Sequence, residues 1–186
     1  MNDWGASETA FVVLVPEAEA RVAALRQRHD PAAALGVPAH ITVLYPFMAR
    51  SLITADVLAR AGAALRGLGA FDFHLSQPRR FADVSWLAPT PADPFVALTE
   101  ALVRAFPAFL PFGGVHDHVV PHLTVARGDE PTLQQADAEL RAILHEQGPV
   151  DAHCSHLSLL AKAGNGWHEW QRLPLDPPAT EGAGPR

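Results

Sequence analysis

The sequence predicts a single α+β domain made from two copies of one unit, and three observations lead to this fold class. A histidine and a threonine stand two residues apart in Pro-Ala-His-Ile-Thr-Val at residues 38–43 and again in Pro-His-Leu-Thr-Val at residues 121–125. The two motifs lie nearly half of the 186-residue chain apart. Around both, the order strand, helix, strand, helix, strand recurs, which indicates duplication and fusion of one unit.

The first copy, about residues 9–76, is predicted to alternate strands and helices, because short apolar runs are separated by stretches with apolar residues at helical spacing. Its predicted elements, in order, are a strand at 11–15, a helix at 17–28, a loop at 30–36, the strand with His40 and Thr42, a helix capped by Thr54 and a strand at 71–75.

The second copy, about residues 81–173, repeats this order and ends in a hairpin around the turn sequence Gly164-Asn165-Gly166. Its predicted elements are a strand at 82–87, a helix capped by Asp93, a loop at 107–117, the strand with His122 and Thr124, a helix from Pro131, a strand at 150–153 and hairpin strands at 157–162 and 167–173. The tail at 176–186 is rich in Pro, Gly and Ala and is predicted to be disordered, so residues 1–175 form the domain.

The amino-acid composition indicates which binding partners and which cellular compartment to expect. With 14 Lys and Arg against 20 Asp and Glu, the net charge is −6, which argues against a large footprint on duplex DNA. The single cysteine, Cys154, excludes an intramolecular disulfide and fits a reducing compartment. Because no apolar run is long enough to span a membrane, we expect a cytoplasmic protein, and we expect it to be a monomer.

The two motifs carry the chemistry. In a strand, residues i and i+2 point to the same face, so His40 stands beside Thr42 and His122 beside Thr124. Imidazole exchanges a proton near neutral pH, and two imidazoles on opposite sides of a phosphorus atom supply a base and an acid together. The threonine hydroxyls can donate to phosphate oxygens. The alternative is that both pairs lie on buried strands, with their polar groups satisfied in the core.

With these motifs the chain resembles the two-histidine phosphoesterase superfamily, and within it the bacterial 2′-5′ RNA ligase-like branch, over residues 9–173. The resemblance implies a bilobal fold with two antiparallel sheets around a central cleft and helices outside. It implies metal- and cofactor-free cleavage of 2′,3′-cyclic phosphates or of 2′-5′-linked nucleotides and RNA ends, with ligation as the reverse. It also implies that His40, Thr42, His122 and Thr124 are catalytic, with His122 as base and His40 as acid.

Three further residues are candidates for binding the substrate. Arg127 matches an arginine of some family members, although on a regular strand it would point away from His122 and Thr124. Tyr45 could stack on a base, although a regular strand would place it opposite His40. His118 lies in the loop that leads into the second motif and is expected to flank the groove.

Two other functions are considered. One is a non-catalytic module of the same fold that binds a nucleotide or RNA. The other is a metal hydrolase, in which His116, Asp117, His118 and His122 would hold zinc. Two complete His/Thr pairs favour the metal-free enzyme, because binding alone would not require both imidazoles.

Overall fold

The computed structural model describes residues 8–114, 119–164 and 166–177. The strands in these residues are β1 (Thr9–Leu14), β2 (His40–Leu44), β3 (Phe71–Arg80), β4 (Val84–Thr90), β5 (Leu123–Arg127), β6 (Val150–Cys154), β7 (His156–Ala163) and β8 (Gly166–Pro174). They form one sheet in the order β6-β3-β4-β5-β2-β1-β7-β8, and every pairing in it is antiparallel. The predicted α+β class is confirmed.

The α-helices of the same residues are α1 (Pro16–His29), α2 (Pro31–Ala34), α3 (Ala55–Ala64), α4 (Asp93–Ala105) and α5 (Glu130–Gln147). Short 3-10 turns lie at Arg50–Leu52 and Pro111–Gly114. As predicted, Thr54 caps α3, its hydroxyl accepting a hydrogen bond from the Val57 amide at 3.3 Å. No helix in the described part of the chain has the length and apolar character needed to cross a membrane.

The expectation of two separate sheets was wrong, because the strands that carry the motifs pair with each other. β2 and β5 meet at Ile41 and Leu123 and join the strands into a continuous sheet. The strands also cross between the two halves of the chain: β3 pairs with β4 and β6, and β7 pairs with β1. These five strands thereby gain a hydrogen-bonding partner from the other half of the sequence.

The core lies on the face of the sheet opposite the two His/Thr pairs. Ile41 and Val43 of β2 and Leu123 and Val125 of β5 are at most 2% exposed. They belong to one apolar cluster with the buried faces of α1, α4 and α5. Burying these alternate residues fixes which face of β2 and β5 remains open to solvent.

Several element boundaries differ from those predicted. α4 begins at Asp93 itself, with Ala92 as its N-cap, so Asp93 is not the capping residue. The predicted loop at 30–36 contains α2, because the Asp30 side chain accepts from the Ala32 amide at 3.0 Å and caps a helical turn. Strand β3 continues to Arg80, since its second half pairs with β4.

The first residue of the predicted tail is attached to the domain. Asp176 forms a β-bridge with Gly69, and its carboxylate accepts from the Gly67 amide at 2.6 Å. Leu175, directly before it, is only 8% exposed. The chain therefore stays attached to the domain through Asp176, and residues 178–186 of the predicted tail lie outside the described residues.

Candidate functional site

The pairing of β2 with β5 brings the two motifs to one face of the sheet. Ile41 lies opposite Leu123, and both side chains point into the core. Continuing this antiparallel register sets His40 opposite Thr124 and sets Thr42 opposite His122. Opposed residues of an antiparallel pair have Cβ atoms about 5 Å apart. Each histidine therefore stands beside one threonine along its own strand and across from the other threonine.

Both imidazoles are held in the same way. The Nδ1 atom of His40 lies 2.8 Å from the carbonyl oxygen of Pro38, and that of His122 lies 2.7 Å from the carbonyl oxygen of Val120. A carbonyl oxygen only accepts, so Nδ1 carries the hydrogen in each ring. Nε2 is then the nitrogen of each ring that can take up or deliver a proton at the site.

A β-bulge follows the threonine in both motifs. Along β1, Val12 pairs with Thr42 while Phe11 pairs with Leu44, which leaves Val43 as the extra residue. The pairing of β4 with β5 skips Val125 in the same way, since Trp86 pairs with Thr124 and Ser85 with Ala126. A bulge shifts the alternation of side chains by one residue, so later residues change face.

The second bulge turns Arg127 toward the site. Arg127 pairs with Val84, which lies two residues from Trp86 and on the same face of β4. Since Trp86 is paired with Thr124, Arg127 shares the face of Thr124 and His122. The expectation from a regular strand was wrong for this side chain. Its guanidinium lies 3.6 Å from the Asp83 carboxylate in a largely exposed pair.

The first bulge likewise turns Tyr45 to the face of the histidine in its motif. Unlike Arg127, however, Tyr45 packs into an apolar cluster. Tyr45 packs with Val12 and Trp167, and its ring centroid lies 6.1 Å from that of Trp167. Its hydroxyl donates to the Glu8 carboxylate at 2.9 Å. Burial, followed by the hydrogen bond to Glu8, raises the pKa of Tyr45 to about 12. Tyr45 is thus on the face of His40, in a small apolar cluster beside β1.

A groove of about 970 Å³ opens next to the second motif. Thr42 and His122 line it, together with Arg127, residues of α4 and the 3-10 turn Pro111–Gly114. Its volume lies at the upper end of the range of about 300–1,000 Å³ that is typical of small-molecule sites.

Among the described residues, three aromatic rings lie close to His122. The ring centroids of Phe81, Trp86 and Phe112 lie 5.2, 5.7 and 6.4 Å from that of the imidazole. Phe81 also stacks on Trp86 at 4.8 Å, with an angle of 27° between the ring planes. The imidazole therefore has an aromatic environment. Two of these aromatic residues, Phe81 and Phe112, also line the groove.

Apolar side chains gather at the mouth of this groove. Among the described residues, the large hydrophobic side chains exposed to solvent are Leu35, Leu52, Phe81, Leu110, Phe112 and Val120, and the last four line the groove. Phe112 also has a positive φ of 51°, a conformation that costs a non-glycine residue free energy and often marks a functional site. Sequence reasoning missed Phe81 and Phe112, although Phe112 stands out as an aromatic residue between Pro111 and Gly113.

A buried ionic network holds the segment that leads into β2. The guanidinium of Arg26, which is 1% exposed, donates to Asp30 at 2.8 and 3.1 Å and to Glu19 at 3.1 Å. It also donates to the carbonyl oxygen of Val37 at 3.1 Å, and Glu19 accepts a hydrogen bond from the Ala39 amide. The residues directly before His40 are thereby tied to helix α1. The sequence showed no signal for this network beyond three charged residues in a helix and its cap.

The environment of His40 keeps its imidazole neutral. Burial lowers its pKa from 6.5 to about 4, and the hydrogen bond to Pro38 offsets part of this effect. The nearby charge of Arg26 lowers the pKa and that of Asp30 raises it, while a charge on His122 lowers it further. The influence of His122 places the two imidazoles within electrostatic reach of each other.

The depressed pKa of His40 predicts that acid destabilises the folded protein. Between about pH 6.5 and 4 the unfolded chain binds the proton that folded His40 does not, so the free energy of unfolding falls as the pH falls. The loss from this group reaches about 3 kcal/mol near pH 4. In urea unfolding at pH 7 and pH 4, we expect His40→Gln to lose less stability than the parent protein. His145→Gln, on the exposed surface of α5, is the control, and equal acid losses in all three proteins would contradict the prediction.

The metal alternative depends on residues that are not described. His116, Asp117 and His118 lie outside the described residues, and so does the expected contact of His118 with the groove. Within residues 8–114, 119–164 and 166–177, no group of three or more His, Cys, Asp or Glu side chains is arranged to hold a metal ion.

Comparison with known proteins gives a family and a fold. The sequence model of the 2′-5′ RNA ligase superfamily matches residues 14–166. No curated protein matches the chain. The structure is similar to E. coli LigT complexed with 3′-AMP, with a TM-score of 0.59, 18% identity and coverage of 91% of this chain and 98% of LigT.

Two more solved structures are similar. LigT complexed with NADP+ gives a TM-score of 0.57 and 17% identity, covering 91% of this chain and 98% of LigT. TT0787 of Thermus thermophilus gives a TM-score of 0.59 and 18% identity, covering 92% of this chain and 99% of that protein. At these identities the likeness shows a shared fold.

Proposed function

This chain belongs to the 2′-5′ RNA ligase superfamily, and we propose that it is a metal-independent phosphodiesterase. Its proposed substrates are 2′,3′-cyclic phosphates and 2′-5′-linked nucleotides or RNA ends, with 2′-5′ ligation as the reverse reaction. The observation that carries the proposal is the register of β2 with β5. Continued by one residue in each direction, this register pairs His40 with Thr124 and Thr42 with His122 on the face of the sheet opposite the core.

The two histidines act as base and acid in this proposal. Cleavage requires one group to take a proton from the attacking oxygen and another to protonate the leaving oxygen. Since His40 has a pKa of about 4, it is neutral at pH 7, and this suits the base. His122 is then the acid. This order is the reverse of the one that the resemblance favoured, and the burial of His40 is the reason for preferring it.

The threonines and Arg127 bind the phosphate. Thr42 and Thr124 each offer a hydroxyl donor between the imidazoles, where the non-bridging oxygens of the phosphorane-like transition state would lie. Arg127 supplies a guanidinium on the same face, and its pair with Asp83 at 3.6 Å is loose and exposed. Such a pair contributes little to stability, so an anionic ligand can replace the carboxylate at small cost.

The ligand that fits the rest of the groove has a flat apolar part. Phe81 and Phe112 expose 39% and 37% of their surface at the groove. Nucleobases stack on aromatic side chains whatever their sequence. The nucleotides in the crystal structures of E. coli LigT, 3′-AMP and NADP+, support the same class of ligand.

The duplication of the chain is also part of the proposal, with copies at about 9–76 and 81–173 in a single domain. It is supported by two features that the motifs share beyond their residues. Each histidine binds the carbonyl oxygen two residues before it, and each bulge falls on the valine after the threonine. Two independently evolved strands have no reason to agree in both.

The function is tested with a panel of phosphodiesters. We expect the purified protein to cleave 2′,3′-cyclic mononucleotides and 2′-5′ dinucleotides, and to be equally active in excess EDTA. The matched 3′-5′ dinucleotides and a 5′-nucleotide serve as comparison substrates. Chromatography of the products measures cleavage of each compound. Loss of activity in EDTA that added zinc restores would replace the proposal by metal catalysis. Binding of these nucleotides without any turnover would favour the non-catalytic module.

A further inference from the structure

Helix α4 forms one side of the groove that Thr42 and His122 also line. Phe95, Leu98 and Leu102 of α4 are buried in the core. The neighbouring stripe of the helix faces the groove, through Thr99, Glu100, Val103 and Arg104. The hydroxyl of Thr99 donates to the carbonyl oxygen of Val43 at 2.9 Å, which fixes α4 directly against β2. Arg104 thus belongs to the same groove as Thr42 and His122.

Arg104 is held loosely. Its guanidinium lies 3.6 Å from the carboxylate of Glu100, one helical turn earlier, and the two side chains are 70% and 61% exposed. Exposed pairs at this spacing stabilise a helix by only about 0.3–0.5 kcal/mol. A phosphate can therefore take the place of Glu100 at Arg104 with little loss of stability.

The proposed reaction leaves part of the groove lining without a role. In that proposal the scissile phosphate lies at Thr42 and His122 and a base stacks on Phe81, while the α4 residues of the lining contact neither. In a chain of net charge −6, the groove brings two arginines, Arg104 and Arg127, together with two acidic residues, Asp83 and Glu100. Both arginines are paired at 3.6 Å, so either charge is open to exchange for a phosphate.

We propose that Arg104 forms a second phosphate subsite, so that the preferred substrate is a nucleotide chain with at least one phosphate besides the one that reacts. This inference rests on the proposed phosphodiesterase function and names the length of its substrate. The guanidinium binds an internucleotide phosphate, and Glu100 turns toward solvent when this phosphate arrives. A cyclic mononucleotide leaves the subsite empty.

The proposal is tested with two substrates that differ by one nucleotide, cytidine 2′,3′-cyclic phosphate and the dinucleotide CpC ending in the same cyclic phosphate. We expect kcat/KM to favour the dinucleotide by about tenfold, as one charged hydrogen bond allows. Arg104→Ala should abolish this preference, Arg104→Lys should keep part of it, and Glu100→Gln should increase it. Arg141→Ala, on the exposed surface of α5, is the matched control and should keep the parent preference.

A binding measurement separates this inference from the proposed function. Calorimetry with 3′-CMP and with the dinucleotide CpC 3′-phosphate needs no turnover. For the dinucleotide, Arg104→Ala should make the plot of log affinity against log salt shallower by about 0.7. A parent protein that cleaves both substrates with no preference, or a variant with an unchanged salt slope, would overturn the subsite alone. Absence of cleavage together with Arg104-dependent binding would overturn the phosphodiesterase and leave the subsite standing.

Discussion

Alanine at position 40 or 122 is expected to lower kcat/KM for 2′,3′-cyclic nucleotides by about 10²–10⁴. Each substitution removes one of the two groups that move a proton in the proposed reaction, and it leaves in place the threonines and Arg127, which are proposed to bind the phosphate. Because acid and base act in the same step, the double variant should be little worse than the poorer single variant. Rates with the best substrate of the panel measure all three effects.

The leaving group distinguishes the two histidines. A nucleoside 3′-(4-nitrophenyl phosphate) releases nitrophenolate, which needs no proton, so the acid becomes dispensable. We therefore expect His122→Ala to recover most of its activity on this substrate and His40→Ala to stay impaired. The opposite pattern would restore the order that the resemblance favoured, with His122 as the base.

His145→Ala is the control for these variants, because this histidine is exposed on α5. Thermal unfolding of each variant, together with a circular dichroism spectrum, establishes that the fold is retained. If both His40→Ala and His122→Ala are folded and as active as the parent protein, two-histidine catalysis is excluded.

Methionine at position 26 is expected to lower the free energy of unfolding by about 3–5 kcal/mol. The substitution keeps the apolar length of the side chain but removes the charge that compensates Asp30, which is 3% exposed. A buried carboxylate without its partner is costly to keep in the folded state. Urea unfolding at pH 7 gives the difference directly.

Arg28→Met is the matched control, two residues along the same helix. Arg28 pairs with Glu139, but its side chain is 50% exposed, so we expect a loss of about 0–1 kcal/mol. Arg26→Met should also lower kcat, since the Val37 carbonyl oxygen loses its donor and the segment before His40 is released from α1. Equal stability losses in the two variants would show that the buried network contributes no more than a surface pair.

The sequence was sufficient to predict the two motifs, the shared face of each histidine with its own threonine, and the family. These features depend on local spacing. An i, i+2 pair on a strand needs no knowledge of the partner strand. The family resemblance drawn from His40, Thr42, His122 and Thr124 is confirmed by the match over residues 14–166. The roles of these four residues remain predictions.

The two β-bulges could not be predicted from the sequence. Val43 and Val125 are β-branched residues inside apolar runs, and such residues favour regular strands. The register with a neighbouring strand creates each bulge, and register is a property of tertiary pairing. For this reason the side on which Arg127 and Tyr45 lie was predicted wrongly for both.

The sheet order and the aromatic surround of His122 were missed for a related reason. No local sequence pattern in β3 or β7 predicts its partner. Each of them pairs with the first strand of the other half of the chain, β3 with β4 and β7 with β1. Phe81 follows the long β3, and it reaches His122 only because β4 and β5 are neighbours. Long-range pairing decides both features.

The two bulges also bear on the direction in which a substrate enters. A pocket made of two equivalent arms would accept a diester in either orientation, because each arm presents a histidine and a threonine. The second residue after each bulge breaks this equivalence, since one arm carries the cation Arg127 and the other the anchored phenol Tyr45. The different side chains at these two matched positions would thus make the substrate bind in one orientation. That orientation would determine which of the two ester bonds at the phosphorus is cleaved.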